Sequence, residues 1–408
     1  MRGSVDKIGK LPREVLLSSI LVGLFADVRS INRVLVSFLP LSEEGIMSYI
    51  YMILLIMVAV LSIFYNRLIK ISGSSAVIAV FLIIFYFLTV LTIGHPEVTI
   101  LDFLVFTICA IMLPCFSQVN GKVLLRTMMF APSIGIFRVN EIFALDDIVG
   151  NISMGLTYAF LPPVIATIVY LFTCFKYDSK KLKIAVLVGT IINSIFLLRM
   201  MFFGSRGPIL AIICTVAFLL LVKKDTNIGV MINKKMVLVT VALLIVLMAS
   251  LENVLLLFDS ILAKFDIDFR FIEKSLALIS EDNLDHERGD IATMAWNGFC
   301  DSPIWGNGLD RFMANTGITY PHNFILQILY DGGMILFFVL LIPVIRGLWI
   351  KYKNCTLSSY MVLTTLFFSS VPGALLSGNM WRQALLWLLM GAALSKCFFY
   401  KNNDTVIK

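Results

Sequence analysis

Residues 320–350 read YPHNFILQILYDGGMILFFVLLIPVIRGLWI, a polar, proline-containing opening that turns within a few positions into an apolar run. A helix needs about 20 predominantly apolar residues to cross the hydrocarbon core of a bilayer, and this run is long enough. Its solvent is therefore lipid. The rest of the chain repeats the pattern. Of 408 residues, 59% are apolar and only 14% charged, against about 25% charged in soluble domains, and the mean hydropathy is +0.93. Windows of roughly spanning length fall at 14–27, 46–65, 76–94, 100–117, 123–137, 153–175, 183–203, 207–223, 236–257, 322–350, 358–376 and 383–400. Inside lipid every backbone polar group must be paired within the protein, which such segments achieve as helices. The expected fold is an all-α integral membrane protein, a polytopic bundle of about 12 transmembrane helices.

Orientation follows from the basic residues, because short cytoplasmic loops retain Lys and Arg and translocated ones lose them. With the N-terminus inside, 22 of the 33 Lys and Arg residues fall in cytoplasmic segments, among them Lys7, Lys10, Lys122, Arg126, Lys180, Lys181, Lys223, Lys224, Lys351 and Lys353. Both termini then face the cytoplasm. The net charge of +7 is explained by this topology and carries no nucleic-acid signal. Of seven cysteines only Cys300 would reach the outer compartment, so no outer disulfide framework is expected. The basic N-terminus and the apolar Val15–Ala26 have the look of a signal peptide without a small-residue cleavage site, and are read as an uncleaved first helix.

The chain divides into residues 1–257 with helices one to nine, an outer loop at 258–321, and residues 322–408 with helices ten to twelve and a cytoplasmic tail. Two smaller outer excursions lie at 28–45 and 138–152. No internal symmetry of the kind that marks inverted-repeat carriers is visible. Within the large loop, residues 265–271 alternate apolar and charged positions, whereas Ile272, Leu276, Leu278 and Ile279 suit an interfacial helix, and both readings stand. From Asp290, placed to cap, the spacing Ile291, Met294, Ala295, Gly298, Phe299 predicts a short outer helix stopped by Ser302-Pro303, with Arg288 just before it. Trp305-Gly-Asn-Gly-Leu-Asp310 reads as a turn, its Gly-x-Gly being too common to indicate a nucleotide.

Chemistry is sought on the outer face. Arg206 lies in Gly204-Ser205-Arg206-Gly207-Pro208, where positive charge is disfavoured by topology and a new helix begins. A guanidinium beside unpaired helix-start N–H groups suits an anion, although an arginine there can also snorkel to lipid headgroups. Arg288, flanked by Glu287 and Asp290, and Arg311 and Arg382 are further outer arginines, able to hold an anionic ligand or to anchor the interface. His322 follows Pro321 at a helix start, where the dipole disfavours imidazolium and keeps the ring available as a base. Neither paired-His spacing nor an outer Cys pair supports a metal, and a metal-independent site without cofactor is expected.

Taken together, an outer Ser-Arg-Gly heading a helix, an Arg opening an outer helix, a Trp-Gly-Asn-Gly turn, and Pro-His-Asn-Phe-x-Leu-Gln with glycines about ten residues on resemble the O-antigen polymerase and O-antigen ligase superfamily of bacterial surface-polysaccharide enzymes. The motifs cover residues 204–210 and 288–335. The resemblance implies transfer of a glycan from undecaprenyl pyrophosphate to a sugar hydroxyl at the outer face of the bacterial inner membrane. His322 would be the general base, and Arg206 with Arg288 would hold the donor pyrophosphate. Partners implied are the lipid-linked oligosaccharide, membrane lipid, and a chain-length regulator and flippase of the same pathway, with no nucleic acid. One departure matters. Ligases tend to carry His, a small polar residue, nine positions, then Gly-x-x-Gly, and here the last position is Leu336. The reading is a polymerase of O-antigen, capsule or exopolysaccharide repeat units, with the ligase as alternative and a lipid-linked glycan flippase as a third.

Overall fold

A computed structural model describes residues 11–36, 43–65, 68–132, 151–202, 206–225, 229–232 and 288–400, with isolated positions between 256 and 276. Helices dominate the described residues. In chain order they are α1 (Arg13–Ala26), α2 (Val28–Val36), α3 (Glu43–Phe64), α4 (Gly73–Thr92), α5 (Ile100–Cys115), α6 (Gly121–Phe130), α7 (Asn151–Thr173), α8 (Lys180–Phe202), α9 (Arg206–Leu221), α10 (Arg288–Asp301), α11 (Phe312–Thr316), α12 (Phe324–Lys353), α13 (Leu357–Leu376) and α14 (Ala384–Leu394).

Among these, Met47–Phe64, Gly73–Thr92, Lys180–Leu198, Phe324–Lys353 and Leu357–Leu376 are long and apolar enough to cross a membrane, and shorter apolar helices occupy Ile100–Cys115, Tyr158–Thr173, Gly207–Leu221 and Ala384–Leu394. The chain is thus a multi-pass helical membrane protein. Of the expected span at 236–257 only Leu256 is described, the alternating segment at 265–271 lies outside the described residues, and of the excursion at 138–152 only Asn151 and Ile152 are described, as the start of α7. One departure from an all-helical chain is a two-stranded antiparallel ribbon, Val222–Asp225 paired with Gly229–Ile232, with Val222 opposite Ile232. It falls where the sequence reading has only a short basic loop. β-branched Val222, Val230 and Ile232 favour extended backbone there once the helix has run out.

Burial separates inner from outer helices. The apolar window of α13 is 72% buried and that of α3 only 22%. Ile53, Ile56, Val77, Val80 and Leu91 accordingly stand exposed on α3 and α4, as lipid-facing side chains should. Around α13 pack α6, α7, α9, α12 and α14. Trp381 and Trp387, stacked at 5.5 Å, are fully buried beside α14. Local chemistry sets several helix starts: Asn120 Oδ1 accepts from the Lys122 and Val123 amides, and Thr356 with Ser359 forms a reciprocal cap at α13. Toward the end of α7 a clamp joins three elements, with Arg126 donating to Tyr170 at 2.7 Å and to Asp178 at 3.1 Å, and Tyr170 donating to Asp178 at 2.7 Å.

The feature that shapes the end of the bundle bearing His322 is a break in α12. Gly333 has φ 58° and ψ −155°, a conformation open in practice only to glycine. In an uninterrupted helix the amides of Met334 and Ile335 would bond the carbonyls of Tyr330 and Asp331. Instead all four groups turn to the segment after α10: Met334 donates to Pro303 O, Ile335 to Ile304 O, and Tyr330 O and Asp331 O accept from Asn307 and Gly308. Ser302 Oγ bonds Gly306 O, and Asn307 Nδ2 bonds Gly298 O, so the polar backbone of the turn is largely consumed. A methyl at Gly306 would collide with Asp331, which explains a glycine with φ 72° at that point.

Candidate active site

His322 stands two residues before the first residue of α12, just ahead of the cap. Asn323 caps α12, its Oδ1 accepting from Ile325 and Leu326 amides at 2.9 and 3.2 Å, and His322 adopts φ 56° between this cap and Pro321. A histidine in the left-handed region is uncommon and concentrates at functional positions. Its ring lies against Tyr320, centroids 4.4 Å apart. Nδ1 is buried with no hydrogen-bond partner among the described residues. Partial burial, and after it the charge of Arg288, holds the imidazole below its ordinary pKa. The ring is therefore neutral near pH 7. The sequence reading credited the helix dipole; burial and Arg288 carry the effect.

Arg288 is the first residue of α10, where the sequence placed it just outside, and Asp290 lies in the first turn instead of capping it. The helix ends at Asp301, ahead of Ser302-Pro303 as expected. Its inner face rests on α12: Ala295 is buried with Phe312 and Tyr330, and Gly298 gives room to the Tyr330 ring. This packing carries Arg288 to within electrostatic reach of His322, 34 positions away in the chain.

The helix α9 starts at Arg206, whose side chain lies outside the description, and Pro208 occupies the first turn. The next residue locates this helix head. A Cβ on Gly207 would collide with the hydroxyl of Tyr158, and one on Gly373 of α13 would meet the same ring at 3.1 Å. Tyr158 also lies within electrostatic reach of Arg288, and its ionisation is coupled to that of Tyr320. The head of α9, Tyr158, Tyr320, Arg288 and His322 therefore form a connected set drawn from four regions of the chain. Sequence reasoning missed Tyr158, whose only signal is a polar-tipped aromatic near the outer end of an apolar run.

Arg311 and Arg382 are placed differently. Arg311 Nη1 donates to His95 O at 2.7 Å and Arg382 Nη2 to Glu97 O at 3.2 Å, both on the link between α4 and α5. Arg29 of α2 donates in turn to Arg382 O at 3.0 Å. Beneath them lies a buried polar network that was also missed. Asp310 Oδ1 accepts from Asn379 Nδ2 at 2.6 Å, Asn379 Oδ1 accepts from Gln327 Nε2 at 2.9 Å, and Gln327 Oε1 accepts from the Met380 amide at 3.0 Å. Asp331, fully buried, accepts from the Trp381 indole at 2.6 Å. Burial pushes the Asp310 carboxyl above its ordinary pKa, against the opposing hydrogen bond from Asn379 and the charge of Arg382. Among the described residues no three His, Cys, Asp or Glu side chains gather to hold a metal ion, and none is assigned that role.

With this geometry in place, the family comparison is informative. Residues 191–341 match the family model for O-antigen ligase, a segment that contains Arg206, Arg288, Arg311 and His322. Over this segment the chain is similar to the O-antigen polymerase and ligase superfamily, whose members are glycosyltransferase-like enzymes. Among curated proteins, no match to the chain was found. The departure noted at Leu336 has a structural counterpart: Leu336 is buried, and its side chain covers Gly332 next to the helix break.

Proposed function

We propose that the protein is a polymerase of lipid-linked surface polysaccharide, moving a growing glycan from polyprenyl pyrophosphate to a hydroxyl of an incoming lipid-linked repeat unit. The observation that carries this reading is the neutral, partly enclosed imidazole of His322 within reach of the Arg288 charge and beside the head of α9. The His322 imidazole takes the proton of the acceptor hydroxyl as its oxygen bonds to the anomeric carbon. The bond from that carbon to the pyrophosphate oxygen breaks, and negative charge collects on the leaving group. Arg288, Arg206 and the unpaired first-turn amides of α9 stabilise that charge where water is sparse. The phosphoanhydride-activated donor supplies the driving force. The site would face the outer side of the cytoplasmic membrane, with Arg311 and Arg382 as further contacts along the glycan or its phosphates.

The ligase remains as second reading because the matched family model is described by that activity. The two separate in cells carrying His322→Asn, a substitution that tolerates the left-handed backbone and cannot serve as base. Single repeat units on the surface acceptor support the polymerase; long chains stranded on the carrier lipid support the ligase. Full-length surface polymer at normal protein level removes His322 from the mechanism.

A further inference from the structure

Tyr158 belongs to no motif, yet it is the side chain that joins the separate parts of the site. Its ring is wedged between Gly207 on α9 and Gly373 on α13, and at Gly207 the hydroxyl is so close that not even a methyl group fits. Gly207 is the second residue of its helix, so the phenol is lodged beside first-turn amides that have no partner within the helix. The charge of Arg288 acts on the same phenol, and Tyr320, whose ionisation is coupled to it, lies against His322. A hydroxyl held between a helix start and a guanidinium meets whatever anion those two groups attract.

We propose that Tyr158 is a pyrophosphate-binding residue, its hydroxyl donating a hydrogen bond to a phosphate oxygen of the lipid-linked donor held by Arg288 and the head of α9. The inference rests on the glycosyl-transfer reading and adds a ligand contact to it. No proton is transferred from the phenol; the hydrogen bond strengthens as charge develops on the departing oxygen, so the effect is greater in the transition state than in the bound donor. The two glycines serve this placement, since a side chain at either would push the ring out of the gap.

The test uses the full-length protein in detergent or nanodiscs, with undecaprenyl pyrophosphate as the binding probe. Tyr158→Phe keeps the wedged ring and deletes only the hydroxyl. A hydrogen bond to a charged group contributes enough for a fall of about tenfold to a hundredfold in kcat/KM, and that loss should appear in kcat more than in KM. In the Arg288→Met background the same change should have a much smaller effect, because both groups act on one phosphate. As a readout that leaves the native phenol in place, 3-fluorotyrosine at position 158 should give a fluorine resonance that moves when the probe is titrated. Unchanged turnover in Tyr158→Phe, full additivity with Arg288→Met, or a resonance indifferent to the probe would each overturn the assignment. Failure of the underlying reading is seen separately: His322→Asn would remain active, whatever Tyr158 does.

Discussion

Two arginine-bearing corners of the molecule differ in what surrounds the guanidinium. In one, Arg288 heads a helix near a neutral imidazole and a tyrosine wedged between glycines. In the other, Arg311, Arg382 and Arg29 hold the carbonyls of His95, Glu97 and Arg382, above a buried Asp310–Asn379–Gln327 network. The same residue type acts on ring groups through its charge in the first corner and is engaged by backbone in the second. Backbone carbonyls leave part of a five-donor fork unused, so the second corner can still meet a ligand, but its arginines also tie backbone segments together.

The comparison can be broken experimentally. His322→Asn should lower turnover by about 10²–10⁴-fold, the range for a general base, while the protein folds as before; a loss under tenfold in a steady-state assay would take the chemistry away from this corner. Arg288→Met should cost about 10²-fold in kcat/KM and also shift the pH profile. The base acts in its neutral form, and Arg288 helps to lower its pKa. Removing that charge raises the pKa, so the acidic limb of the kcat/KM profile should move to higher pH. A limb that stays in place would mean that another group titrates.

Gly333→Ala attacks the seat shared by both corners. A side chain at φ 58°, ψ −155° is strained and its Cβ would meet the carbonyls of Pro303 and Ile304. Destabilisation of about 3 kcal/mol or more is expected, read as a lowered unfolding midpoint. Arg311→Met should cost about 1 kcal/mol of stability through its lost bond to His95 and lower turnover far less than Arg288→Met does. Equal losses at the two arginines would erase the distinction between the corners and favour direct substrate contact by Arg311. The smallest effect is expected for Asp310→Asn, which keeps the acceptor toward Asn379, tolerates φ 51° and removes a buried charge. Stability within about 1 kcal/mol of the parent is anticipated, and it should fall less as the pH rises above about 4, the ordinary Asp value, since the raised carboxyl pKa of Asp310 favours the folded state most when it is protonated.

How much of this was legible in the sequence depends on the range of the interaction. The spans at Met47–Phe64, Gly73–Thr92 and Leu357–Leu376 follow from hydropathy, and the outer helix ending at Asp301 follows from apolar spacing and a Ser-Pro stop. These are properties of neighbouring residues. The break at Gly333 was not read, because a glycine pair in an apolar run reveals its conformation only when a distant turn arrives to take the freed amides. Tyr158 was missed for the same reason: its importance lies in Gly207, Gly373 and Arg288, each from a different part of the chain. His322 and Arg288 were found because they stand in polar stretches where an apolar background makes them conspicuous. The helix start at Arg288 and the non-helical backbone of His322 were off by a residue or two, as termini usually are.

The turn Ser302–Asp310 has a further bearing on motion. With the amides of Asn307, Gly308, Met334 and Ile335 all committed between it and α12, and that of Leu309 to Thr89 on α4, this rim should surrender its protons to deuterium slowly. A stretch that hydropathy alone would label a connector is then among the stiffer parts of the outer surface.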